Sequence, residues 1–348
     1  MKALTFHGKK TVKYETVPDP QIEHPKDVII KVLLSAICGS DLHVYHERET
    51  GLDYGTVMGH EFVGEIVEIG QEVKLFQKGD VVFSPFSTNC GECFYCRIGL
   101  TARCSEGQLF GWVEDGFGLH GGQAVYIRVP LADSTLLKLP EDVSLEEGLF
   151  LGDIFSTGYF CADMAEISSD GIYAVVGCGP VGLMAIIGAR ESGAEKIYAI
   201  DSIPERLKIA DRYGAIPINF QTEDPIEILR ELTDGRGADA VSEVVGSESA
   251  GRTAFDLVRP GGIISTVGVH TKKNFAFSPV EAYNKNITYK IGRCPARHYM
   301  EKLLPIVQTK KYDLTAIISH RLPLAEGVRG YEIFDKKLDD CIKLILEI

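Results

Sequence analysis

The stretch NCGECFYCRIGLTARC, Asn89 to Cys104, holds four of the nine cysteines in the chain. Cys90, Cys93, Cys96 and Cys104 are spaced C-x2-C-x2-C-x7-C. Two-residue spacers let a turning loop aim three thiolates at one point, and the fourth returns to close a tetrahedron. Zn2+ takes that geometry in sites that leave no position open for substrate. An iron–sulfur cluster fits less well, because the last spacer is seven residues long and no proline follows Cys104. The expectation is a structural zinc in a lobe over about 89–105, so the chemistry must lie elsewhere.

Two other places offer it. Cys38-Gly-Ser-Asp-Leu-His43 and Gly59-His60-Glu61 supply a thiolate and an imidazole outside the cysteine cluster. Taken singly, a lone Cys is usually a small buried hydrophobe and a lone His a hydrogen-bonded core or surface group. Gly177-Cys178-Gly179-Pro180-Val181-Gly182 is G-x-G-x-x-G, and Asp201 follows Gly182 by 19 residues. The motif follows a strand-like run and opens a helix-like one, which makes it a dinucleotide fingerprint. The glycines permit a tight turn, and pyrophosphate sits at the positive helix N-terminus. Asp201 would bond the adenosine ribose and repel a 2′-phosphate, favouring NAD; another nucleotide fold with a glycine-rich turn is the alternative.

The elements that must position these groups fall into two rhythms. A chain of 348 residues exceeds what one core usually serves. Up to about residue 150 the sequence reads as short strands and turns, such as VIIKVLLSAIC (28–38), EFVGEIVEIG (61–70) and KGDVVFSP (78–85). From about 170, strands YAVVG, KIYAID, ADAVSEVVG and GGIISTVG alternate with helical runs PVGLMAIIGARESGA, PERLKIADRYGA and SAGRTAFDLV, the signature of a parallel sheet. After about 293 the rhythm loosens and ends in DDCIKLILEI. Gly171 to Ala189 is uncharged, yet GCGP in its middle would break a membrane helix. The N-terminal MKALTFHGKKTVKYE lacks an apolar run, so a cytoplasmic protein with reduced thiols is expected. A net charge of −13 disfavours nucleic acid, and no membrane partner is expected.

Together the motifs resemble those of the zinc-dependent alcohol dehydrogenases of the medium-chain dehydrogenase/reductase superfamily. The match runs from CGSDLH through GHEFVG, the four-cysteine lobe and Ser156-Thr157-Gly158-Tyr159 to the dinucleotide segment. The resemblance implies an α/β protein: a GroES-like β-rich catalytic domain over residues 1–157, a Rossmann NAD-binding domain with a doubly wound parallel sheet over 158–293, and a return segment over 294–348 that completes the first. It implies two zinc ions per chain, the catalytic one held by Cys38, His60 and a residue just before SerThrGlyTyr. Many relatives have Cys there and polyol dehydrogenases have Glu; this chain has Asp153. A carboxylate beside one thiolate and one neutral imidazole balances the charge of Zn2+ and leaves it a strong Lewis acid. The alternative is that Asp153 caps a helix while Glu146 or Glu147 reaches the metal; the offset from Ser156 and Thr157 favours Asp153. Glu61 resembles the family carboxylate that approaches zinc transiently, and Asp41 would orient His60.

By the same resemblance, Ser40 and His43 carry the alcohol proton to solvent through the nicotinamide ribose, with His46 a nearby decoy. Thr157 and Val181 would pack on nicotinamide, and Val267 and Val269 join the cofactor set. Arg206 would lie near the adenosine ribose and Lys343 near pyrophosphate. Phe86 and Trp112 would line the substrate pocket, with core packing equally open for both. GlyAspIlePheSerThrGlyTyr resembles the branch related to glutathione-independent formaldehyde dehydrogenase, although the chain is short for that branch's long insertion. The expected activity is reversible NAD-dependent oxidation of small primary, and at the margin secondary, alcohols by a homotetramer. A formaldehyde or polyol dehydrogenase is the second reading, and a catalytically silent nucleotide-binding protein the distant third.

Overall fold

The computed structural model describes all 348 residues. They divide into two compact units, Met1–Asp153 with Pro295–Ile348, and Ile154–Cys294. The breaks expected at 157 and 293 fall at 153 and 294, because the chain leaves the first unit at a joint between two helices, Leu145–Gly152 and Ile154–Met164.

The first unit is built on a seven-stranded sheet whose spine is Val28–Ile37. That strand is an almost unbroken apolar run, since it is covered on both faces and paired on both edges. Phe62–Ile69 pairs antiparallel along one edge; Tyr126–Val129 and Lys343–Glu347 divide the other. The return segment therefore enters the sheet directly beside its spine: Leu344 opposes Ile37 and Leu346 opposes Ser35. Val28, Ile30, Val32, Phe62, Ile66 and Val82 form one core cluster of this unit.

In the second unit six parallel strands run in the order Ile216–Asn219, Lys196–Asp201, Ile172–Val176, Ala238–Glu243, Val258–Thr266, Thr288–Ile291. The order reverses beside Ile172–Val176, and the crevice at the carboxyl ends of that strand and Ala238–Glu243 is where such sheets take dinucleotides. The uncharged stretch resolves into the strand Ile172–Val176 and the helix Pro180–Glu191. No helix is long and apolar enough to cross a membrane.

Candidate active site and metal centres

Cys38, His60, Glu61 and Asp153 each offer a ligand atom, and these atoms all lie within 4.8 Å of one another. Cys38 follows the spine strand directly; His60 and Glu61 precede its neighbour Phe62–Ile69. Asp153 occupies the helix joint at φ −143° and ψ −78°, outside the helical region. It ends the helix Leu145–Gly152 and immediately precedes Ile154–Met164, where an aspartate also suits a helix N-terminus, so the assignment as a ligand rests on what its side chain meets. Its Oδ2 lies 3.6 Å from Cys38 Sγ and 3.3 Å from His60 Nε2. Glu146 and Glu147, the alternatives, are spent elsewhere: Arg321 donates to Glu146 at 2.8 Å and Lys310 to Glu147 at 2.6 Å.

The imidazole is oriented as a ligand should be. His60 Nδ1 lies 3.2 Å from Asp41 Oδ1, which holds the proton on Nδ1 and turns the Nε2 lone pair toward the cluster. Asp41 is itself fixed by the Cys38 amide at 2.9 Å and by the Gln123 side-chain amide at 3.3 Å, and Tyr331 donates to Gln123 at 2.8 Å. This buried Tyr331–Gln123–Asp41–His60 chain was not foreseen beyond Asp41; neither Gln123 nor Tyr331 lies in a motif. Burial, then the Asp153 and Glu61 charges, push the Cys38 thiol up, and burial also raises the Glu61 carboxyl against the pull of Lys343. Like charges crowded into a dry space are what a divalent cation would relieve, and the thiolate, imidazole and carboxylate set suits zinc.

Lys343 takes a different place from the phosphate contact expected of it. Its fully buried ammonium lies 2.7 and 2.6 Å from the two Glu61 oxygens and donates to the Ile37 carbonyl at 3.3 Å. Its strand is paired with the spine, which carries the side chain inward to the cluster of Cys38, His60, Glu61 and Asp153. Glu61 is thereby the anion that keeps a buried lysine charged.

Ser40 Oγ lies 3.2 Å from His60 Nε2, at the edge of the cluster. His43 is three residues on, in the short helix Asp41–Tyr45, and its Nδ1 is buried without a hydrogen-bond partner. Burial, then the charges of Arg48 and His46, hold its pKa below the ordinary histidine value. His46 is engaged by Asp335, Nε2 to Oδ1 2.5 Å. Phe86 is buried, while half-buried Trp112 packs against the cluster containing Val44 and Tyr45 and donates to Glu114 at 3.2 Å.

The ligand atoms of Cys90, Cys93, Cys96 and Cys104 also lie within 4.8 Å of one another, and all four thiols are free. Backbone amides are aimed at sulfur: Cys90 N to Cys104 Sγ at 3.2 Å, Cys93 N to Cys90 Sγ at 3.3 Å and Cys96 N to Cys93 Sγ at 3.5 Å. The Cys96 and Ser105 amides bring Cys93 down to about 6, while burial and the neighbouring Cys93 push Cys96 up to about 12. Such a loop stabilises some thiolates and leaves the remaining repulsion for a cation.

In the second unit, Gly177 adopts φ +95°, and a Cβ on Gly182 would stand 1.8 Å from the Gly177 carbonyl oxygen. Only glycine closes this turn. Gly179 caps the helix Pro180–Glu191, with Pro180 in its first turn and Val181 half-buried behind it. Asp201 ends its strand with both oxygens engaged: Cys178 N donates to Oδ2 at 2.7 Å, and Ser202 N and Ile203 N donate to Oδ1 at 2.7 and 2.9 Å. Arg206 approaches Oδ2 at 3.8 Å. Thr157 is half-buried on the helix Ile154–Met164, and Val267 and Val269 follow the strand Val258–Thr266.

Comparison with known proteins gives the family and its two domains. Residues 24–141 match the alcohol dehydrogenase GroES-like domain and residues 180–309 the zinc-binding dehydrogenase family. Zinc-type alcohol dehydrogenase B of Aspergillus flavus is 44% identical over 96% of this chain and 79% of its own. The NADP-dependent isopropanol dehydrogenase of Thermoanaerobacter brockii is 34% identical over 92% of this chain and 93% of its own. The solved alcohol dehydrogenase TADH from Thermus sp. ATN1 superposes with a TM-score of 0.92 at 40% identity, covering 100% of this chain and 99% of that one. With a GroES-like unit, a Rossmann-like unit and this kinship, the chain belongs to the zinc-type alcohol dehydrogenases of the medium-chain dehydrogenase/reductase superfamily.

Proposed function

We propose that the chain oxidises small primary alcohols to aldehydes reversibly with NAD, using Cys38, His60 and Asp153 to hold a catalytic zinc and the four-cysteine lobe to hold a structural one. The observation that carries the reading is the convergence of Cys38, His60, Glu61 and Asp153 from three separate stretches of chain onto one point. When bound, zinc supplies Lewis acidity to an alcohol oxygen and NAD supplies the hydride acceptor. The protein's own part is to orient and to move the proton. Asp41 fixes the His60 tautomer, Ser40 stands at the cluster edge to take a hydrogen bond from the alcohol, and His43, held neutral by burial, receives the proton on its way to solvent.

NAD rather than NADP rests on Asp201, whose charge opposes a 2′-phosphate. Kinship does not decide it, since the Thermoanaerobacter relative is NADP-dependent. The formaldehyde dehydrogenase branch rests on the short run around SerThrGlyTyr alone, and the relatives described above are a zinc-type alcohol dehydrogenase, an isopropanol dehydrogenase and an alcohol dehydrogenase. The test is Asp153→Ala in enzyme prepared without chelators. The variant should stay folded, lose about one zinc of two and fall at least about a hundredfold in alcohol turnover while still binding NADH. Full turnover with undiminished zinc would contradict the ligand assignment.

A further inference from the structure

Glu243 is a buried acid that the chemistry above does not use. It ends the strand Ala238–Glu243 at the switch point of the parallel sheet, 1% exposed. Its Oε1 accepts from Val245 N and Gly246 N, both at 2.8 Å, and its backbone carbonyl accepts from Val267 N at 3.1 Å and Gly268 N at 3.4 Å. One residue thus ties the turn after its own strand to the segment after Val258–Thr266. The two turns nearly touch: a Cβ on Gly268 would lie 2.2 Å from Gly246 N, and a Cβ on Gly246 would lie 2.3 Å from the Val269 carbonyl. The first turn also abuts the fingerprint, since a Cβ on Gly177 would lie 2.4 Å from Val245 Cγ2.

The other carboxylate oxygen is unfinished. Glu243 Oε2 is buried without an aligned hydrogen-bond partner, and the facing group is His270 Nε2 at 3.4 Å. A buried carboxylate oxygen left without a donor is costly, so the imidazole is drawn toward it. His270 lies on the segment bearing Val267 and Val269.

We infer that Glu243 and His270 form a latch that holds the Val267–His270 segment against the glycine-rich turn and thereby sets cofactor affinity. Both are positioning residues, and the inference rests on the dinucleotide occupying the fingerprint turn. Closing the pair stiffens one wall of the crevice before the cofactor arrives, so less ordering is left to be done on binding.

The experiment uses the full chain with its zinc and two variants, His270→Ala and His270→Gln. NADH binding is read by fluorescence titration, loop closure by hydrogen exchange of the Val267–His270 amides, and turnover by steady-state kinetics. In His270→Ala, NADH should bind about fivefold or more weakly, the Val267–His270 amides should exchange faster, and the cofactor KM should rise with kcat held or increased. His270→Gln keeps a donor and should recover most of the affinity. Unchanged NADH affinity and exchange in His270→Ala would overturn the latch while leaving the cofactor reading intact. Failure of the wild type to bind either NADH or NADPH would overturn the cofactor reading, and the latch with it.

Discussion

Asp153 gathers with Cys38, His60 and Glu61 at one point, and that convergence is the clearest residue-scale sign of function. Its position could be read from the run that follows it, because SerThrGlyTyr supplies an offset. The company kept by Lys343 could not, since one lysine in KLILE gives no hint that its strand pairs with Val28–Ile37 and brings it to Glu61. Gln123 and Tyr331 escaped for a related reason: they reach Asp41 from remote parts of the chain, and single polar residues have no spacing to read. The histidines separate well at this scale. His43 has a lowered pKa, so its proton-accepting form survives acidification through the ordinary histidine range of about 6.5 and is lost only below it. His43→Gln should therefore slow alcohol oxidation roughly tenfold near neutral pH and recover at high pH, where hydroxide accepts the proton. His46→Gln, which only breaks a pair with Asp335, should leave the rate–pH profile unchanged. Rate–pH profiles of both variants check this, and a large defect confined to His46→Gln would move the relay.

At the scale of elements, the cysteine lobe and the fingerprint turn were legible because each packs its chemistry into a short stretch. The lobe has one four-residue helix, Phe94–Arg97, whose side chains are all at least partly exposed. With so little core of its own, its order is expected to depend on the proposed structural zinc. Cys93→Ala should reduce zinc from about two ions per chain to about one and lower the thermal midpoint by about 5 °C or more, as metal analysis and calorimetry would show. Asp201 teaches the opposite lesson. The motif gives it a ribose, but the structure also gives it three backbone amides, so removing the side chain would loosen the turn as well as the specificity. Asp201→Asn, which keeps an oxygen acceptor and drops the charge, is the cleaner probe. It should narrow the NAD-over-NADP preference by about tenfold, read as the ratio of cofactor kcat/KM values. An unchanged ratio would remove Asp201 from cofactor choice.

For the molecule as a whole, the alternation of strands and helices from Ile172 onward announced a parallel sheet, and all six strands there are parallel; their order is a finding of the structure that alternation alone leaves open. The first unit was less legible. Its strands are short, several pair across large sequence separations, and the return segment inserts beside Val28–Ile37 from more than 300 residues away. Local periodicity carries no information about such pairings. The central claim, that this frame oxidises alcohols with NAD, is tested most directly by following NADH formation from a panel of primary and secondary aliphatic alcohols, using chelator-free enzyme with NAD+ and NADP+ in parallel. Turnover of primary alcohols, with NAD+ favoured over NADP+, is the predicted result. No reduced cofactor from any alcohol, in enzyme shown to carry both zinc ions, would contradict it.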